Sequence, residues 1–266
     1  MTTGAAQDRP WASPDEASRA WREGRGKGVR VAVIDSGIES SHPALAGMTL
    51  SDSVGFEERD GRIVTIEGAG HDVYGHGTAV AGIVHQHAPD AEIGSFRVID
   101  ARSLSRTALI CAGVREAMRR GYQVLNCSFG CKGLAKYILP HKAWADEAWL
   151  RGIHVVAASG GIDDDEPEWP SHFAGVLSVG LARTDTNEIF HRPGKMVGYA
   201  ARGENVEVAW LGGGSQLKTG TSFAAPRLTG QVARLLGEAP GLSPGLVIDL
   251  LPRIAEPWDQ RLGCQW

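Results

Sequence analysis

Six short apolar runs, at 29–34, 92–99, 124–127, 153–158, 176–181 and 206–210, are separated for the most part by stretches of helical periodicity. A strand that is apolar along nearly its whole length has no solvent face, so such runs belong to a sheet covered on both sides. Strand alternating with helix gives an α/β fold: a mostly parallel central sheet with helices on both faces. Helices are expected at 14–22, 77–86, 105–120, 140–151, 221–236 and 243–251. The first opens on Ser13-Pro14-Asp15-Glu16, a capping box with proline at the first helical position. A chain of 266 residues, 42% hydrophobic and 22% charged, can bury one sizeable core. The expected organisation is one domain over 28–251, an N-terminal segment with a short helix over 1–27, and a tail over 252–266.

Charge excludes some functions. A net charge of −4 with no basic stretch leaves no electrostatic footprint for nucleic acid. No apolar window approaches the roughly 20 residues of a membrane span, and residues 1–10 are polar, unlike a signal peptide. The four cysteines, Cys111, Cys127, Cys131 and Cys264, lack the spacing of a zinc site or a disulfide framework. Free thiols favour a cytoplasmic setting, with secretion the alternative if a leader and prosegment had been removed. No repeat or low-complexity tract interrupts the chain, and its oligomeric state is left open.

Three glycine-rich frames carry the chemistry. They are Val33-Ile34-Asp35-Ser36-Gly37, Gly75-His76-Gly77-Thr78 and Gly220-Thr221-Ser222-Phe223-Ala224-Ala225-Pro226. Asp35 closes an apolar run, His76 opens a helical pattern, and Ser222 opens another with Pro226 in its first turn. A serine hydroxyl is a weak nucleophile at neutral pH. A histidine must take its proton, and a carboxylate must hold that histidine in one tautomer. The other histidines offer no such pattern; His85 and His87, two apart, do not share a helix face.

The frames, in the order Asp, His, Ser, resemble those of the subtilisin-like serine proteases, the subtilases, over about 28–251. His42-Pro43-Ala44-Leu45 after the first frame and Asp72 before the second also fit. The resemblance implies a three-layer fold and a serine endopeptidase working through an acyl-enzyme. Asp35, His76 and Ser222 would be catalytic, with the Ser222 N–H and the Thr221 hydroxyl facing the oxyanion. It further implies a peptide or protein substrate bound as an added strand between Ser128-Phe129-Gly130 and Ser103-Leu104-Ser105, beside Ala158, Ser159 and Gly160. Asn126 matches a frequent family asparagine near the site. No cofactor is implied. The helix after His76 runs straight through Pro89 into the next strand, without room for the loop that carries calcium in several secreted relatives.

Two departures matter. Where the family usually reads Ala-Gly-Asn, with the asparagine amide donating to the oxyanion, this chain has Ser159-Gly160-Gly161. A slow or selective protease follows, rather than a digestive one. A peptide-binding pseudoprotease and a peptide ligase or macrocyclase are the alternatives. The acidic run Asp163-Asp164-Asp165-Glu166-Pro167-Glu168 follows. Aligning Trp169-Pro170 with the family's aromatic-proline pair sets Glu168 near the floor of the primary specificity pocket. Ala79, where many relatives have a second histidine, implies no mechanistic loss.

Overall fold

The computed structural model describes residues 13–132, 134–160 and 167–262. The apolar runs form the middle of a ten-stranded sheet: β1 (Arg30–Asp35), β4 (Glu92–Arg97), β5 (Val124–Cys127), β6 (His154–Ala158) and β7 (Val176–Ala182). To these it adds β2 (Thr49–Arg59), β3 (Arg62–Glu67), β8 (Ile189–His191), β9 (Tyr199–Arg202) and β12 (Glu256–Pro257). The order is β12-β8-β9-β7-β6-β5-β1-β4-β2-β3, parallel throughout except for β2 with β3 and β8 with β9.

Alternation along β1 assigns the two cores. Val31 and Val33 face one layer, with α2 (His76–His87), α5 (Ala225–Glu238) and α1 (Pro14–Glu23). Ala32 and Ile34 face the other, with α3 (Thr107–Arg119) and α4 (Ala135–Leu150). α5 is the most deeply buried helix: Leu228, Val232 and Leu235 are each 0% exposed. Each such side chain contributes about 1.5–3 kcal/mol. The Ser13 hydroxyl caps α1 by accepting from the Glu16 N–H at 3.2 Å.

Several expectations need correction. The run 206–210 does not join the central sheet. It forms β10 (Val206–Trp210), paired only with the antiparallel β11 (Gly214–Lys218) in a separate ribbon. Pro140 does not start a helix but lies inside α4. The helix expected over 221–236 is broken: Thr221–Phe223 is a 3-10 turn, and α5 begins at Ala225. Pro226 is the cause, since in an unbroken α-helix its ring would meet the Ser222 carbonyl. The tail, for which packing on the body was one of two open expectations, packs on it over the described residues 252–262. Pro252 lies inside α6 (Pro244–Ile254), β12 pairs with β8, and Trp258 meets the Phe190 ring edge-on at 6.3 Å.

Candidate active site

Strand β1 ends on Asp35, which is 0% exposed. Its Oδ1 and Oδ2 lie 2.8 and 3.0 Å from Nδ1 of His76, the first residue of α2, and Oδ1 also accepts the Ser36 N–H at 2.7 Å. The two frames meet because both carry glycine. A Cβ on Gly77 would lie 2.1 Å from the Gly37 oxygen, and one on Gly37 would lie 2.2 Å from the His71 oxygen. Burial pulls the His76 pKa down, but the charge and hydrogen bond of Asp35 outweigh it and Asp72 adds to them, so the imidazole titrates above its ordinary value. Lys218 opposes that rise.

Asp72 organises the turn before α2. Its Oδ1 accepts from Ser36 Oγ and from the N–H groups of Tyr74 and Gly75; its Oδ2 accepts from the N–H and hydroxyl of Thr78. Burial raises its pKa, yet these bonds prevail and leave it below the usual carboxylate value. Ser36 Oγ in turn accepts the Gly77 N–H at 2.9 Å, so one buried network fixes both frames. The position of Asp72 four residues before His76 was its only sequence signal.

Ser222 sits on the 3-10 turn, whose two bonds run from Phe223 N to Gly220 O and from Ala224 N to Thr221 O. The N–H groups of Thr221 and Ser222 therefore have no acceptor inside the turn. Ser222 Oγ donates to Ser128 O at 3.3 Å, and Ser128 Oγ returns a bond to Ser222 O at 3.1 Å. Asn126, 0% exposed, donates to Ser128 Oγ at 3.0 Å and accepts from Thr229 Oγ1 of α5 at 2.8 Å. The His76 and Phe223 rings lie 5.5 Å apart, which sets the base beside the turn.

Glu168 is 9% exposed and stands between two glycines. A Cβ on Gly130 or on Gly160 would lie 2.5 Å from its carboxylate group, and the Gly160 N–H donates to that carboxylate. Paired backbone bonds between Cys131 and Trp169 fix this arrangement. Phe129 and Gly130 make no backbone hydrogen bond with any described residue. Ser159 is buried, its N–H bonded to Val179 O, and Ala158 pairs with Val179 in the sheet. The opposite wall is less strand-like than expected. Ser103 has φ +60°, and Leu104 is bound to Asp100 through both its N–H and its C=O, so neither can pair with a peptide. Ser105 Oγ is bonded to Val98 O. Gly161 and residues 163–166 lie outside the described residues.

Two side chains on the β10–β11 ribbon were not legible as site residues. Trp210 packs on Gly75 and edge-on to Tyr74, and Lys218 Nζ lies 4.0 Å from the Trp210 ring centroid. Nothing in the run 206–210 distinguishes a ribbon beside His76 from a sheet strand. Among the described residues no group of three or more His, Cys, Asp or Glu could hold a metal, and no helix is long and apolar enough to cross a membrane. Cys111, Cys127 and Cys131 are free, and burial pushes the Cys127 thiol pKa up.

Asp35 thus closes a parallel strand, His76 opens the helix bonded to it, and Ser222 sits on the turn whose Phe223 ring lies beside His76. The chain belongs to the subtilase family, whose model matches residues 26–257. It is 30% identical over 234 residues to Thermitase of Thermoactinomyces vulgaris, covering 83% of this chain and 79% of the relative. It is also 30% identical over 250 residues to Subtilisin Savinase of Lederbergia lenta, covering 90% and 88%. The solved structure of Sphericase superposes with a TM-score of 0.71 at 23% identity, covering 85% of this chain and 83% of that one. The protein is a subtilisin-like serine endopeptidase, acting on peptide or protein substrates.

Proposed function

We propose that Asp35, His76 and Ser222 form the catalytic triad of a selective endopeptidase that cleaves after basic residues. The buried Asp35–His76 pair, held at 2.8 Å beside the turn that carries Ser222, is the observation that carries the reading. His76 Nε2 takes the Ser222 proton as Oγ attacks the scissile carbonyl and later returns it to the leaving amine. Asp35 keeps Nδ1 protonated and balances the imidazolium. A rotation about the Ser222 Cα–Cβ bond exchanges its contact with Ser128 O for the imidazole; such bonds are commonly loose before substrate binds. The Ser222 and Thr221 N–H groups, with the Thr221 hydroxyl, are the donors available to the oxyanion. Gly161 adds no side-chain donor, and the absence of one such donor costs about a hundred- to a thousand-fold in turnover.

The substrate lies extended along the edge of Phe129 and Gly130, whose main-chain groups supply affinity while pockets select side chains. Glu168, nearly buried between Gly130 and Gly160, supports a preference for lysine or arginine before the scissile bond. The cytoplasmic setting expected from the cysteines gains nothing from the relatives, one of which is named a minor extracellular protease. The test is labelling of Ser222 by a fluorophosphonate probe, lost in Ser222→Ala and suppressed in His76→Ala. Folded protein that resists several such probes is instead a peptide-binding module. Product masses then separate hydrolysis from ligation.

A further inference from the structure

Beside the proposed substrate edge runs a groove that bond cleavage itself leaves unused. It lies between α3 and α4 and reaches β3, a cavity of about 620 Å3 with Ile63, Ala112, Tyr137 and Pro140 on its walls. Leu134, Tyr137 and Leu139, at the start of α4, are large apolar side chains left exposed. Single surface leucines are ordinary, whereas exposed apolar side chains gathered along an apolar groove mark a binding surface. The groove adjoins the cleft. Thr107 of its wall follows Ser105 by two residues, and Pro140 precedes His141, whose ring lies 6.3 Å from that of Phe129.

The groove is also cationic. Arg115 and Lys136 are its charged residues, and no carboxylate lines it. Elsewhere along α3 the arginines are paired: Arg106 with Glu58, and Arg119 and Arg120 with Glu116. Arg115 is exposed and has no ion pair or hydrogen bond among the described residues. Lys136 has no carboxylate partner among them either, its Nζ lying 4.8 Å from the Tyr137 ring centroid. Burial raises the pKa of Cys111, another wall residue; Arg115 opposes that rise and Cys131 adds to it. The wall is thus within electrostatic reach of both the unpaired cation and the residue after Gly130. In a chain of net charge −4, two cations without carboxylates beside apolar walls fit a ligand that carries apolar side chains and carboxylates together. An extended peptide supplies both, because alternate side chains point to opposite sides. Ser128 is bonded to Ser222, so on the reading above the residues preceding the scissile bond leave the edge past Gly130, toward α4.

We infer that this groove is an exosite for protein substrates, holding a segment N-terminal to the scissile bond that combines leucine or phenylalanine with aspartate or glutamate. Its place upstream rests on the substrate edge proposed above, and two measurements keep the two readings apart. The first is binding of a fluorescent peptide of alternating leucine and glutamate to the full Ser222→Ala chain, read by anisotropy. The expected result is saturable binding, about tenfold weaker when the glutamates are glutamines and about tenfold weaker when Arg115→Gln is added. The second is cleavage of a lysine-containing core peptide, alone and with the same acidic segment attached before or after it. Attachment before the core should raise kcat/KM about tenfold, chiefly through KM, and Arg115→Gln should bring the ratio of extended to core peptide close to one. Absence of saturable binding, equal affinity for the glutamine peptide, unchanged affinity in Arg115→Gln, or an equal gain from attachment after the core overturns the inference. Failure to cleave the core peptide at all counts against the cleavage reading above, and the binding measurement then decides the groove by itself.

Discussion

Ser222 and Ser128 exchange hydroxyls: each Oγ donates to the backbone oxygen of the other, at 3.3 and 3.1 Å. The bond from Ser128 satisfies the carbonyl that Pro226 prevents from entering a helix, so it is part of how the turn holds its shape. Ser128→Ala should lower stability by about 1 kcal/mol, the usual net value of one such bond. It should also slow fluorophosphonate labelling of Ser222 several-fold. Stability measured by urea unfolding and labelling measured by mass spectrometry check both effects; labelling at the wild-type rate would separate the turn's geometry from reactivity.

The pH dependence follows from the sign of the His76 shift. As the proposed general base, His76 works only when neutral, so kcat/KM should rise with pH through a His76 pKa displaced above its ordinary 6.5. Lys218 favours the neutral imidazole, and Lys218→Gln should move this acid limb to higher pH. The charged Asp35–His76 pair stabilises the fold fully below pH 6.5, and that contribution fades as pH rises through the displaced value. A pH–rate profile of the two proteins gives the answer; coincident limbs would mean the Lys218 charge does not reach the imidazole.

Glu168→Gln removes a charge while keeping the shape between Gly130 and Gly160. The ratio of kcat/KM for lysine over leucine before the scissile bond should fall about tenfold, and the wild-type preference should weaken with added salt. A cleavage profile led by leucine or aromatic residues in the wild type would remove the basis of this reading.

Asp72→Asn turns one of two acceptor oxygens into a donor that faces N–H and O–H groups. In a site only 6% exposed this should cost about 2–4 kcal/mol. The Asp72 carboxyl titrates below its ordinary 3.8, so its stabilisation is present above that pH and disappears as pH falls through the lowered value. Unfolding midpoints at pH 7 and pH 3 test this, the gap between wild type and variant narrowing at the lower pH.

What could be read from residues alone follows how local the determinants are. β1, β4, β5, β6 and β7 were legible because strands covered on both faces are mostly apolar and here carry no charged residue between their ends, and the three frames were legible because tight approaches demand glycine at fixed offsets. β2 and β3 were missed: in β2, between β4 and the edge strand β3, Leu50-Ser51-Asp52-Ser53 breaks the apolar pattern with polar residues. The position of Trp210 and Lys218 beside His76 depends on where a ribbon packs, which has no local signature. The break before α5 could have been read from Pro226, whose clash with the carbonyl four residues earlier is a local rule. The engagement of Leu104 by Asp100 is an Asx-type turn, and it was hidden by matching the segment to a strand.

The order of the elements has a consequence for a cell that makes this enzyme. Asp35 and His76 lie in the first third of the chain, whereas the turn bearing Ser222 follows all the central strands. With the triad proposed above, a nascent chain released before Ser222 holds a base and its carboxylate but no nucleophile. Cutting ability thus waits for the last-made of the three residues, and products truncated before it are harmless to their neighbours by topology alone.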